Sequence, residues 1–267
     1  MTHSILLVGA GRMGGALLTG WLKQGLAPLI AVEPLPSPEL RKLARGGVTL
    51  LKTVEAAPGN LRACVVALKP QVLRHEAPRL APIAQSGATM ISIAAGTSVR
   101  SLRAAWGPKT RIVRAMPNTP GAIGEGISAL YAAPGTTAKD RKLAESLVAA
   151  LGQTVWVARE SDIDAVTAVS GSGPAYVFLL VEALAEAARR EGLPNGIALK
   201  LARQTIIGSG ALLKSDPSPA EQLRRNVTSP GGTTEAALEI LLGRDGLKPL
   251  IARAVRAARK RARRLAK

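Results

Sequence analysis

Apolar residues in the first two thirds of the chain come in short unbroken blocks, and helical periodicity fills the intervals between them. Ile5, Leu6, Leu7 and Val8 form one block of strand length, residues 13–24 repeat apolar positions with a helical period, and Leu29-Ile30-Ala31-Val32 forms a second block. Further blocks at 63–68, 89–93 and 110–115 are separated by segments 71–83 and 99–106 that read as helices. Blocks that do not alternate with polar residues belong to strands buried on both faces, so the pattern predicts parallel strands joined by helical crossovers. Two more strands, at 127–132 and 153–157, flank a helix at 137–150 and finish the sheet. Strand patterning stops near Arg159. Helices are expected at 174–191, where Pro174 suits a first turn and Gly192 and Pro194 stop the run, and at 200–214, 219–226, 233–242 and 247–265. The fold class is α/β: a doubly wound, mostly parallel sheet at 1–159, then an all-helical domain at 160–267.

The turn between the first strand and the first helix carries the first chemical signal. Gly9-Ala10-Gly11-Arg12-Met13-Gly14 follows an apolar strand ending in Val8 and opens a helix, and Glu33 stands at a strand end about 20 residues further on. Gly9 permits the tight turn, Gly11 lets backbone approach a pyrophosphate, and Gly14 allows close helix-to-strand packing. The pyrophosphate then sits on a helix N-terminus, where free N–H groups and the positive dipole end favour an anion. A nicotinamide or flavin nucleotide is the candidate ligand.

In such folds the ligand lies at the carboxyl ends of the strands. The residues there are Ala67-Leu68-Lys69-Pro70, Ile93-Ala94-Ala95-Gly96 and Met116-Pro117-Asn118-Thr119-Pro120, mostly small or turn-forming. Lys69 could face a phosphate or a substrate carboxylate, or be an exposed loop lysine. Asn118 could bond a carboxamide or ribose, or be a turn residue held between prolines. In the helical domain, Ser170-Gly171-Ser172-Gly173-Pro174 and Ser229-Pro230-Gly231-Gly232-Thr233-Thr234 read as loops ending at helix N-termini, able to present bare N–H groups and hydroxyls to a carboxylate. The plainer alternative is helix capping by Ser172 and Thr233. Capping does not need the glycine runs.

Composition narrows the chemistry. The 267 residues, 47% apolar, suffice for two cores. The longest uncharged stretch, 80–99, contains Pro82, Gln85, Ser86 and Gly87 and reads as a turn and a buried strand, so no membrane span is expected. The first ten residues run into a strand without the features of a signal peptide, which points to the cytoplasm. Cys64 stands alone in an apolar block and is expected to be buried. His3 and His75 lie far apart without a ligand cluster, so neither a metal site nor a Ser-His-Asp triad is indicated, and a cofactor must carry the chemistry. The net charge is +18, half of it from residues 244–267, where basic residues line one face of an apolar-periodic helix. That helix reads as docked with a solvated charged face, or as a patch for nucleic acid or an anionic surface. Aromatic residues make up 2% of the chain, too few for stacking platforms, and nucleic acid is not the expected partner.

Taken together, Gly9 to Gly14, Leu68-Lys69-Pro70, Ser92-Ile93-Ala94-Ala95-Gly96, the 114–120 segment, Asp164-Ala165-Val166-Thr167 leading into residues 170–176, and residues 229–234 resemble the pyrroline-5-carboxylate reductases of proline biosynthesis over nearly the whole chain. The resemblance implies a Rossmann domain, a helical domain that interlocks with a second subunit in a homodimer, often within rings of dimers, and reduction of Δ1-pyrroline-5-carboxylate to L-proline by NADPH or NADH without a metal. It implies that Ser229, Gly231, Gly232, Thr233 and Thr234 hold the substrate carboxylate, with Thr234 facing the ring nitrogen as the catalytic hydroxyl. Glu160 is then near the substrate and Asn226 contacts the nucleotide; Ser172 joins the substrate group as a candidate from its own loop.

Three features depart from the family pattern. Glu33 would accept hydrogen bonds from a free ribose 2′-OH and repel a 2′-phosphate, which favours NADH, although Arg12 could offset that repulsion. An asparagine common after the third strand is missing around Thr53 and Val54. The basic tail is more positive than the family leads one to expect. A β-hydroxyacid dehydrogenase is the nearest enzyme alternative, but it needs a lysine on the first long helix of its second domain, and residues 174–191 contain none. Another cyclic-imine reductase, or a nucleotide-responsive regulator that binds nucleic acid through the basic helix, are the remaining readings.

Overall fold

The computed structural model describes residues 4–265; His3 and Lys267 lie outside them. The chain forms two compact units, Met1–Gly171 together with Ala258–Lys267, and Ser172–Ala257.

Among the described residues the first unit holds one eight-stranded sheet, β1 (Ser4–Val8), β2 (Leu29–Val32), β3 (Val48–Leu51), β4 (Leu61–Val66), β5 (Thr89–Ser92), β6 (Ile112–Met116), β7 (Gly126–Ala132) and β8 (Gly152–Trp156), in the order β3-β2-β1-β4-β5-β6-β7-β8. Strand order reverses beside β1, which makes the crevice at its carboxyl end the switch point of a doubly wound sheet. The helices of this unit are α1 (Arg12–Lys23), α2 (Pro38–Arg45), α3 (Pro70–Glu76), α4 (Ala81–Gln85), α5 (Val99–Trp106), α6 (Ala138–Val148) and α7 (Asp162–Val166).

β7 pairs antiparallel with β6 and parallel with β8, so the last two strands run against the other six. Residues 117–125 are too few for a parallel crossover, and Pro117 and Pro120 bend them into a tight turn instead. β3 is an edge strand with Thr49 exposed, which is why no apolar block announces it. The crossover expected as one helix at 71–83 is α3, a 3-10 turn at Ala77–Leu80 and α4, because Pro78 and Pro82 lack the N–H that a continuous helix needs.

Each strand contributes alternate residues to two cores. Leu6 and Val8 join Cys64, Val66, Met90 and Trp106 on one face, while Ile5 and Leu7 join Leu17, Trp21, Val65 and Leu147 on the other. Fully burying a leucine-sized side chain contributes about 1.5–3 kcal/mol. Both buried indoles are satisfied: Trp21 donates to the Leu147 carbonyl at 2.8 Å and Trp106 to that of Ala77 at 3.0 Å. Burial pushes the Cys64 thiol up to about 12, so it packs as an apolar group.

At the end of the sheet away from the switch point, Asp140 is buried in the first turn of α6. Its Oδ1 accepts from Thr89 Oγ1 at 2.6 Å and Arg111 Nη1 at 2.9 Å, and its Oδ2 accepts from the Thr137 N–H at 2.9 Å and hydroxyl at 2.7 Å. Burial raises its pKa, but the bonds from Thr89, Thr137 and Arg111 together outweigh burial and leave it below the ordinary value.

In the second unit α8 (Gly173–Arg190) and α9 (Asn195–Ser215) pair around Ala185, Ala198 and Ala202, and α10 (Ala220–Asn226) and α11 (Thr233–Leu242) follow. α12 (Leu247–Leu265) begins in this unit and its last turns belong to the first, where Ala262 is buried, Arg263 lies 3.8 Å from Asp164, and Leu265 packs against Gly96. α7 runs through a π-helical turn at Thr167–Gly171 into α8, so Asp162–Arg190 is one unbroken helical run. By length and composition this run is apolar enough to cross a membrane, against the expectation, drawn from the longest uncharged stretch, that no segment is. By compactness the units part at 171/172, later than residue 159, because α7 packs on β7.

Removing the Asp140 carboxylate leaves the Arg111 charge and the Thr89 hydroxyl without their partner. Asp140→Ala is expected to cost about 3 kcal/mol in urea unfolding at neutral pH. The contribution of a carboxylate with a depressed pKa is present above about pH 4 and is lost as pH falls through its folded value. The gap between wild type and Asp140→Asn should therefore narrow on acidification to about pH 3; a gap independent of pH would contradict this role.

Candidate nucleotide and substrate sites

Local sterics at the β1–α1 turn separate what packing requires from what it does not. Gly9 has φ +88°, and a Cβ there would lie 2.8 Å from Leu68 Cδ2 and 3.0 Å from the Ala67 carbonyl oxygen. A Cβ on Gly14 would lie 2.1 Å from the Gly9 carbonyl oxygen. Glycine at both positions is dictated by the protein itself. A Cβ on Gly11 would meet nothing within 4 Å, so no internal contact demands glycine there. Gly11 is the N-cap of α1; the helix has no side-chain cap and no acidic residue in its first turn, and its amino end remains suited to an anion. This cradle fits a dinucleotide pyrophosphate.

Glu33 follows β2. Its Oε2 accepts the Ala10 N–H at 3.0 Å and its Oε1 the Leu35 N–H at 3.4 Å, so the carboxylate pins the glycine turn. Beside it opens a cleft of about 290 Å³ whose lining includes Gly9, Glu33, Lys52, Thr53, Leu68 and Arg79. Arg79 is oriented by Glu55 at 2.8 Å and Glu76 at 2.7 Å, and its hydrogen bond is the main reason the Glu55 carboxyl is held at about 2.

The remaining first-unit candidates follow strands β4, β5 and β6 at the same edge of the sheet. Ala67 and Leu68 close over Gly9, Lys69 starts α3 ahead of Pro70 without a side-chain cap, and Ile93, Ala94 and Ala95 lead into Gly96. Asn118 accepts the Ile127 N–H on Oδ1 at 3.0 Å, tying the β6–β7 turn to β7, so one end of its amide serves the turn. Glu160 accepts from the Val99 N–H at 2.7 Å and from Arg114 Nη1 at 2.6 Å. Arg114 is 5% exposed, in the middle of β6. Sequence reasoning gave this arginine no role of its own; the signal was a cation inside an apolar strand, which requires a carboxylate from elsewhere.

The second-unit candidates form a separate group. Gly231 has φ +72°, the Gly232 N–H donates to the Ser229 carbonyl at 3.0 Å, and Gly232 is the N-cap of α11 with extended backbone and no side-chain cap. Thr233 and Thr234 are the first two helical residues, so Thr233 does not cap the helix. Ser172 has helical dihedrals and makes no capping bond either. The segment around it is a π-helical turn rather than the open loop expected, since the chain from α7 to α8 never leaves helical conformation. Such turns frequently mark functional sites. Asn226 ends α10, its Oδ1 accepting from Gln222 at 2.8 Å. A further participant is Glu235, whose Oε2 accepts the Gly231 N–H at 2.6 Å. Its sequence signal was a glutamate three residues after a helix N-cap.

The sheet order, the glycine turn and the unscreened helix end define a dinucleotide-binding protein, and residues 4–96 match the family model described as NADP oxidoreductase, coenzyme F420-dependent. Residues 160–265 match the model for pyrroline-5-carboxylate reductase dimerisation. The chain is 38% identical to the pyrroline-5-carboxylate reductase of Pseudomonas aeruginosa, covering 99% of this chain and 97% of that protein, and 33% identical to the Glycine max enzyme, covering 99% and 96%. Among solved structures it is similar to the Coxiella burnetii reductase, with TM-score 0.92 and 34% identity over the whole of both chains. It is also similar to the Plasmodium falciparum reductase with NADP bound, with TM-score 0.82 and 28% identity over 100% and 99% of the chains. The chain belongs to the pyrroline-5-carboxylate reductase family. The dimerisation match supports a homodimer, and it spans the whole helical run Asp162–Arg190, on which Val177, Phe178, Leu179 and Leu180 are exposed in the single chain.

Because no internal contact requires glycine at position 11, Gly11→Ala should leave Tm within about 1–2 °C of wild type while weakening nicotinamide nucleotide binding about tenfold or more by fluorescence titration. A drop in Tm with unchanged affinity would assign Gly11 to folding instead.

Proposed function

We propose that this protein reduces Δ1-pyrroline-5-carboxylate to L-proline, the last step of proline biosynthesis, using NADPH or NADH. The observation that carries this reading is the N-terminus of α11, whose N-cap Gly232 brings no capping side chain, behind Ser229-Pro230-Gly231, in a chain whose curated relatives over nearly its full length are reductases of this imine acid. Bound to the first unit, the nicotinamide supplies a hydride. The chain itself binds and orients. Val8, Gly9 to Gly14, Ala67 to Pro70, Ile93 to Ala95, Asn118 and Asn226 would hold the nucleotide. Ser229, Gly231, Gly232 and Thr233 take the substrate carboxylate, and Ser172 and Glu160 are assigned to substrate binding. The Thr234 hydroxyl meets the ring nitrogen. A protonated cyclic imine is already electrophilic, so the reaction requires a positioned C=N bond rather than a strong base or a nucleophilic serine. Arg114 and the Val99 N–H, by fixing Glu160, settle its orientation.

Glu33 favours NADH, since its carboxylate repels a 2′-phosphate, a repulsion that the Arg12 charge works against. The working unit is an interlocked homodimer, open to assembly into rings of dimers, and the location is the cytoplasm. The division of labour assigns the nucleotide to residues 1–159, apart from the Asn226 contact, and the substrate and dimer contacts to 160–267.

Loss of NADH or NADPH absorbance with purified protein and Δ1-pyrroline-5-carboxylate, with a six-membered cyclic imine acid in parallel, tests the reading. Turnover with the five-membered ring is expected; none with either nucleotide, in protein that still binds one, would overturn it. kcat/KM should be higher with NADH, and Glu33→Ala should shift the ratio towards NADPH; a wild-type preference for NADPH would remove Glu33 as the determinant. Thr234→Ala should lower kcat/KM by about two- to tenfold, the loss of one neutral hydrogen bond. Unchanged kinetics in that variant would place Thr234 outside the site.

A further inference from the structure

The donor cradle of residues 229–234 already holds a carboxylate of its own. Glu235, exposed in the first turn of α11, places Oε2 2.6 Å from the Gly231 nitrogen and accepts its N–H. No other side chain caps this helix, whose N-cap is Gly232. The positive φ of Gly231, +72°, allows the loop to fold back so that its N–H and the side chain of Glu235 meet across the start of the helix. An incoming carboxylate drawn to the same N–H groups and the same helix dipole meets an anion already seated there. One N–H cannot serve two carboxylates at full strength. The substrate must therefore displace Glu235 or bind beside it against like-charge repulsion.

We infer that Glu235 is an internal competitor for the substrate carboxylate: it occupies the Gly231 N–H in the free enzyme and yields it on binding, which raises KM for the carboxylate-bearing substrate and weakens retention of the carboxylate-bearing product. This rests on the reading of residues 229–234 as the carboxylate site. Glu235 is a positioning residue and takes no part in hydride or proton transfer. A glutamate at the third helical position reaching back to an N–H also resembles half of a capping box, whose role is only to stabilise the helix end. The two roles separate on charge. Glutamine retains an oxygen that accepts the Gly231 N–H and so preserves a cap, but it carries no charge to compete with a carboxylate.

The experiment is steady-state kinetics of wild type, Glu235→Gln and Glu235→Ala with Δ1-pyrroline-5-carboxylate and with 1-pyrroline, which lacks the carboxylate, together with product inhibition by L-proline. In Glu235→Gln, KM for the imine acid should fall by about three- to tenfold and the inhibition constant of L-proline by a similar factor, the change residing in KM rather than kcat. KM for 1-pyrroline should not move. Raising salt from about 0.05 to about 0.5 M should lower the wild-type KM relative to that of Glu235→Gln, because screening relieves only the charged repulsion. Glu235→Ala should resemble Glu235→Gln in KM, and a loss of Tm confined to the alanine variant would report the capping contribution separately. An unchanged or raised KM for the imine acid in Glu235→Gln, or an equal change with 1-pyrroline, overturns the competitor role and leaves the carboxylate site standing. Absence of wild-type turnover with the imine acid instead removes the carboxylate reading, and this inference falls with it.

Discussion

The approach of Gly14 to the Gly9 carbonyl, close enough that a Cβ would sit 2.1 Å from that oxygen, is the contact on which the nucleotide half of the molecule depends. It brings the amino end of α1 hard against the carboxyl end of β1, at the point where the strand order reverses. Moving that helix outward by the width of one methyl group would carry the free N–H groups away from the switch point and open the core beneath Leu17 and Trp21. Glu33 reinforces the same geometry from the next strand by holding the Ala10 N–H. The turn is thus fixed sterically from within and by a charge-assisted hydrogen bond from outside, and Gly11 alone is left without an internal reason to be glycine.

Two carboxylates organise the rest of the sheet from opposite ends. Asp140 gathers the starts of β5 and β6 and the first turn of α6, a set of contacts whose consequence is stability. Glu160 gathers Arg114 in β6 and the first N–H of α5 at the carboxyl end, where the candidate nucleotide residues lie. Equivalent physics serves different ends because of position: a buried cation in a strand needs a partner anywhere, but at the carboxyl edge that partner also becomes part of the site's frame.

The helical unit is governed by a different constraint. Its buried residues are few and small, Ala185, Ala198 and Ala202, while long apolar side chains on α8 and α9 face outward in the single chain. A unit of this kind has too little core of its own, and its residues fall within the match to the dimerisation model. The last turns of α12 bring Leu265 against Gly96, the glycine that ends the loop after β5.

Sequence alone specified the strands of the sheet apart from β3, since blocks such as Ile5 to Val8 and Leu29 to Val32 are legible wherever both faces of a strand are buried. It also determined the glycine turn and the start of α11 at Thr233, because glycine spacing and helix periodicity are local properties. Tertiary structure decided what depends on partners distant in the chain. The crossover read as one helix at 71–83 is broken at Pro78 and Pro82, and the place of the break follows from packing on the sheet. Edge strand β3 had no apolar block because one of its sides is open. The Ser170 to Gly173 segment, read as a loop from its glycines, is a helical turn because the chain on either side holds it so. The bonds of Arg114 to Glu160, Asn118 to Ile127 and Thr89 to Asp140 join residues whose pairing no local pattern encodes. A side chain's chemical type is written in the sequence, but the group that satisfies it in the interior is chosen by the fold.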